Sequence, residues 1–355
     1  MTPNDATDSD QDLNPDSARD VTRRSLLAAT GTGLAATAGC AGVYTPADAA
    51  NDVAVRGNVD YFAGPTQLAA DDAVFLDART RDLFRTERIY GARLAPVDEL
   101  TAQSETESGL IPDTEALASA FGAVGVAPDD DVVVYGGSVG SRVTRVAFAL
   151  EYLGHRGDIT VLNGGFENWT GRVGTGDRDP PTAEYDPDVR EELVVTRDWL
   201  AERVGTFNGD GPGLVDVRSP EAYLGAKGSA ALEESNRRHG HLPGAVDVHW
   251  HGNVDGRTLA DPIELASLYF NAAVLDQDGT IVVYGQGNVN PTSTWLALRA
   301  LGATDVRLYD GGFAEWANVP EAERGRYPVE TKTTTVVEAE GSVGGSDDGG
   351  FSCTG

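Results

Sequence analysis

Two segments of this chain are copies of one pattern, and that repeat restricts its fold more than any other feature. Residues 131–169 run apolar strand, glycine-rich loop, helix, second apolar strand, then Gly164-Gly165-Phe166-x-x-Trp169. Residues 279–316 do the same and end in Gly311-Gly312-Phe313-x-x-Trp316. The copies hold register further back: Glu115, Phe121, Asp129 and Tyr135 recur at an offset of 149 as Glu264, Phe270, Asp278 and Tyr284. The strands Val132-Val133-Val134-Tyr135 and Ile281-Val282-Val283-Tyr284 are continuously apolar, as strands buried on both sheet faces must be. They alternate with helices expected at 114–121 and 262–270. That pattern predicts an α/β fold made twice, each copy a parallel sheet with helices on both faces.

Each unit also opens alike. Val74-Phe75-Leu76-Asp77-Ala78-Arg79 in the first matches Leu214-Val215-Asp216-Val217-Arg218 in the second, and a Gly-Ala pair follows each (Gly91-Ala92; Gly244-Ala245). At ~150 residues per domain, 355 residues hold two such units. Their expected bounds are 52–172 and 193–329. Between them, residues 173–192 are rich in Pro, Gly and charge and read as a linker, while 330–355 lack apolar periodicity and read as a disordered tail.

Leu-Val-Asp-Val-Arg at 214–218, Gly240-His241-Leu242-Pro243-Gly244-Ala245, Val282-Val283-Tyr284 with its loop, and Tyr309-Asp310-Gly311-Gly312-Phe313-x-x-Trp316 together resemble the tandem rhodanese-type sulfurtransferases, the thiosulfate and 3-mercaptopyruvate enzymes. The resemblance spans both units. It implies a cysteine at the end of the second unit's strand, whose thiolate and persulfide are held by converging backbone amides. Aligned without a gap, that position is Gly285. The loop is Gly285-Gln286-Gly287-Asn288-Val289-Asn290, with Asn290-Pro291 reading as N-cap and first helical residue. The family's substrate-binding arginine falls on Ala222. Thr292 and Ser293 offer hydroxyls, but no base is in sight to activate them.

The first loop, Gly136 to Arg142, has the nucleophile-x5-Arg spacing of a phosphatase loop, again with glycine for the nucleophile. Ser138, Ser141 and Arg142 at a helix N-terminus make an oxyanion site one reading; Arg142 paired with a carboxylate where the units meet is the other. An anion site is also expected over 285–290 in the second loop, for a sulfur oxyanion. Asp77, Arg79, Asp216 and Arg218 are expected to fix the loops rather than to catalyse. Gly285-x-Gly287 after a strand hints at a dinucleotide fingerprint, but Asn290 stands where its third glycine belongs. No cofactor is expected. An alternative keeps sulfur transfer alive through Cys353 on the tail or through a partner's thiol. Another builds a metal site from His239, His241, His249 and His251, two His-x-His pairs eight residues apart.

Charge bounds the partners. The chain has 56 acidic residues against 27 basic ones, a net charge of −29, and only Lys227 and Lys332 are lysines. Such a surface repels nucleic acid and anionic lipid. At 1 M salt the Debye length is ~3 Å, so the composition suits a salt-adapted cell. Near the N-terminus, Arg23-Arg24 precede a short apolar run ending Thr37-Ala38-Gly39-Cys40. This resembles a twin-arginine export signal with a lipoprotein cleavage site. The run is shorter than the ~20 residues a membrane span needs. Residues 1–39 are therefore expected to be removed, with Cys40 lipidated and 40–51 a linker. Loss of six Asp and three Arg leaves −26. The expected product is an envelope protein touching membrane only through its lipid, with a small sulfur oxyanion or an envelope protein as partner.

Overall fold

The computed structural model describes residues 61–68, 73–104, 108–226, 235–272, 274, 279–287 and 289–331. The export signal, Cys40, Asn288 and Cys353 lie outside the described residues. Two five-stranded sheets form, both parallel throughout. The first runs 62–63, 159–162, 132–135, 74–77, 93–94, and the second 194–195, 306–309, 281–284, 213–216, 246–247. Register repeats as well: Asp77 lies beside Tyr135 as Asp216 lies beside Tyr284.

Period-two alternation decides where each strand residue goes. Val74, Leu76, Val132 and Val134 point to one face, Phe75, Val133 and Tyr135 to the other. The second sheet divides in the same way, with Val215, Ile281, Val283 and Leu308 on one face and Leu214, Val282 and Tyr284 on the other. The outer faces make separate cores, but the inner faces of both sheets share one continuous core. Helices Ser141–Tyr152 and Pro291–Ala300 fill the space between them. Trp295, fully buried, meets Phe148 edge-on at 5.2 Å and donates its indole N–H to the Val306 carbonyl (2.9 Å). Thr144 and Thr292 hydroxyls bond at 2.8 Å, joining the two helices.

The segments that follow each unit make bonds of their own. The 173–192 segment is packed along the first unit: Val173–Gly174 pairs antiparallel with Arg88–Ile89, Ala183 N–H bonds the Gly122 carbonyl, and Tyr185 is buried. Its prolines and charges marked a break in periodicity, but backbone bonds to the unit supply what periodicity did not. At the other end, Glu330 exchanges both backbone hydrogen bonds with His241.

Candidate functional site

Both loops leave a strand at a buried glycine and enter a helix of ten residues or more. The Asp-x-Arg motif holds the base of each. Arg218 donates from its backbone N–H, Nε and Nη2 to the Asp216 carboxylate (2.7–3.2 Å) and from Nη2 to the Gly240 carbonyl (2.6 Å). Arg79 repeats this with Asp77 and the Glu87 carbonyl. The Tyr135 hydroxyl donates to Asp77 (2.8 Å) and accepts from Ile89 N–H (3.2 Å). Burial first, and the adjacent aspartate second, raise the phenols of Tyr135 and Tyr284 far above the ordinary range. They stay neutral donors. Every polar atom named here faces inward to a partner, so the aspartates and arginines act as girders under the loops.

The Gly-Gly-Phe motif completes the support. Phe313 N–H bonds the Gly285 carbonyl (2.8 Å), and Phe166 N–H bonds the Gly136 carbonyl (2.8 Å). The rings lie under the motif arginines, Arg218 at 3.8 Å from Phe313 and Arg79 at 3.9 Å from Phe166. Gly312 has φ +58°, and a Cβ there would sit 2.7 Å from the Gln286 carbonyl oxygen and 2.8 Å from that of Gly285. Gly165, at φ +67°, is as close to the first loop. Glycine is required because the loop backbone rests on it.

Among the described residues no thiol lies at the loop entrances, and the space one would need is tight. A Cβ on Gly285 would lie 3.0 Å from the Gly287 carbonyl oxygen and 3.1–3.2 Å from the Pro291 ring. On Gly136 it would meet the Val143 side chain at 2.7 Å. Further along the second loop, Gln286 forms a reciprocal amide pair with buried Asn236 (3.0 and 3.1 Å), which Asn318 also engages (3.1 Å). Asn290 holds the N-cap position, but its side chain makes no capping bond; Thr292 and Ser293 N–H groups turn back to the Val289 and Asn290 carbonyls. Pro291 is the first helical residue, as expected. Thr292 and Ser293 are buried, the Thr292 hydroxyl donating to Val289. Ala222 is buried in a short helix, Pro220–Tyr223.

The first loop meets the second unit. Val139 is buried and its N–H bonds the carbonyl of Arg257, in the hairpin of strands Val254–Asp255 and Thr258–Leu259. Leu259 N–H bonds the Asn163 side chain (2.9 Å). Arg142 gives its Nε to the Ala78 carbonyl (2.8 Å) and holds Nη1 3.7 Å from exposed Asp98. Ser138 and Ser141 are half-buried beside it. Among the described residues, no three His, Cys, Asp or Glu side chains converge to hold a metal ion. His241 is sealed in, stacked on Tyr223 at 3.8 Å with Nδ1 on the Tyr223 carbonyl, while His249 and His251 face each other at 3.3 Å. Burial lowers the pKa of both of the latter.

A rhodanese-like domain model matches residues 66–172 and again 196–319. The chain belongs to the rhodanese-like family. It is 27% identical to a thiosulfate sulfurtransferase of Pseudomonas aeruginosa over 72% of this chain and 92% of that one. A thiosulfate sulfurtransferase of Corynebacterium glutamicum is 34% identical over 63% of this chain and 73% of its own. The crystal structure of SseA from Escherichia coli, described as a 3-mercaptopyruvate sulfurtransferase fold, superposes with a TM-score of 0.58 at 23% identity, covering 71% of this chain and 98% of that one. That last likeness is one of fold. Sequence reasoning missed Asn236, Asn318, Arg257 and Glu330. Each acts from a distant segment, and none stands in a motif.

Proposed function

We propose that this rhodanese-family protein is a non-catalytic member that holds a sulfur oxyanion, exported to the envelope of a salt-adapted cell and anchored there by Cys40. The observation that carries this is Gly285. Where a sulfurtransferase needs a sulfur nucleophile there is a hydrogen atom, and the same is true at Gly136. A persulfide needs a thiolate to form on. The names of the relatives supply the ligand class, and the Ser138, Ser141 and Arg142 end of the first loop is the more open of the two anion sites. In the second loop Gln286 is engaged with Asn236.

The test is sulfur transfer from thiosulfate to cyanide by the mature protein in molar salt, with Cys353→Ser beside it. No transfer is expected from either. Transfer that vanishes in Cys353→Ser would replace this reading with a swinging tail thiol. Calorimetry should instead find thiosulfate bound at an affinity of order millimolar, ~4 kcal/mol, with one site fewer in Arg142→Ala. Equal binding by the two proteins would make Arg142 only a brace between Ala78 and Asp98. The salt adaptation predicts a melting temperature that climbs from tens of millimolar to molar sodium chloride as carboxylate repulsion is screened.

A further inference from the structure

The two units part company at the short strand before the Gly-Ala pair. In the second unit His241 is fully buried, exchanges backbone hydrogen bonds with Glu330, and holds Nε2 3.8 Å from the Glu330 carboxylate. The Gly-Ala pair brings Arg88 to the matching place in the first unit. Its strand partner is Gly174, which has no side chain. The carboxylate that the second unit supplies from within is missing from the first.

Cations gather there instead. Arg88, Arg172 and Arg178 line one open cleft of about 590 Å³ together with Tyr90. Arg88 is 6% exposed. It gives Nη1 to the Gly176 carbonyl (2.6 Å) and lies against Phe84, but its buried Nε has no acceptor. Arg172 lies 3.5 Å over the ring of exposed Tyr90. Asp177, the acidic residue of the cleft, is occupied by Arg85 at 3.1 Å. Among the described residues none of the three lining arginines pairs with a carboxylate, in a chain with twice as many acids as bases. Burying a guanidinium with a donor unused is unfavourable unless an acceptor completes it. Planar guanidinium forks match oxyanions two bonds at a time.

We infer that this cleft is a binding site for a small oxyanion of the phosphate or sulfate type, taken by Arg88 at its floor and by Arg172 and Arg178 at its mouth. The anion stands where Glu330 stands in the second unit. The site is separate from both loops, so it does not rest on the function proposed above.

Inorganic phosphate and sulfate are the probes, titrated into the mature protein at constant, chloride-balanced ionic strength and followed by calorimetry and thermal shift. Saturable binding is expected. The double variant Arg172→Ser, Arg178→Ser changes only exposed side chains and, made in an Arg142→Ala background that removes the loop site, should weaken it at least tenfold. A second variant mimics the other unit. Gly174→Glu has room, since a Cβ there meets only Tyr90, its ring at 3.7 Å and its Cα at 4.0 Å. Its carboxylate should raise the melting temperature without added anion and abolish the response to phosphate. No saturable signal beyond chloride, or wild-type binding by either the double variant or Gly174→Glu, overturns the site.

Discussion

The two glycine-rich loops follow equivalent strands, rest on equivalent Gly-Gly-Phe supports and both begin with glycine, yet they are closed by different parts of the chain. The second is closed from within its own unit, through Gln286 on Asn236 and Asn318. The first is closed by the other unit, through Val139 on the Arg257 carbonyl. One supersecondary element therefore serves two purposes. In the second unit it is a turn held by side-chain amides. In the first it has become part of the joint between the units. A loop built to offer backbone amides to an anion can offer them to a carbonyl oxygen instead, because both are hydrogen-bond acceptors.

The largest test of this contrast is Trp295→Ala. The side chain belongs to the inner core shared by the two sheets and touches Phe148 of the first unit. Its removal should cost about 3–5 kcal/mol, seen as a lower urea midpoint, and should uncouple the units. If both sheets still unfold in one transition at an unchanged midpoint, the shared core is not what joins them.

Next come the support glycines. Gly312→Ala and Gly165→Ala each place a Cβ within 2.9 Å of loop backbone at positive φ. Left-handed strain and overpacking together should cost about 2–4 kcal/mol. The contrast predicts different calorimetric shapes: two transitions for Gly165→Ala, whose loop is in the joint, and one for Gly312→Ala. Identical traces would mean the first loop contributes nothing to the joint.

Gly285→Cys asks whether a thiolate cradle survives. Crowding against Pro291 should cost about 1–3 kcal/mol. With the Gly287 carbonyl oxygen 3.0 Å from the new Cβ, the thiol should titrate no lower than the ordinary ~8.5. A pKa well below that, from the pH dependence of iodoacetamide alkylation, would show that the loop amides still converge on the site.

The smallest effect is a pH slope. Burial lowers the pKa of His155, whose ring nitrogens meet the Tyr185 hydroxyl and the Asp130 carbonyl. The folded state thus prefers the neutral ring, and the unfolded chain takes up the proton first. Stability should decline as pH falls through the unfolded value of 6.5 toward the lower folded one. His155→Gln should flatten that decline in urea titrations across the same range; an unaltered slope would assign it to other groups.

Much of this was legible from residue order. The repeat announced two parallel sheets because an apolar run can only be a strand buried on both faces when helices follow on either side. The role of Asp77, Arg79, Asp216 and Arg218 was legible too, since a charged pair at a strand end needs partners, and the nearby backbone provides them. That each loop begins with glycine could be read directly at Gly136 and Gly285. These are local properties, carried by side-chain periodicity and by the chemistry of single positions.

What the order of residues could not supply was the identity of distant partners. Nothing beside Val139 points to Arg257, and nothing beside Gln286 points to Asn236, 50 positions away. Glu330 reads as the start of a tail until it lies against His241. Arg88, Arg172 and Arg178 read as scattered charges until the strand pair 88–89 and 173–174 brings them to one cleft. Motifs determined which groups the protein has and lacks; chain crossings decided which of those groups are already satisfied. A hydrogen bond depends on position in space, and only the packed fold assigns that.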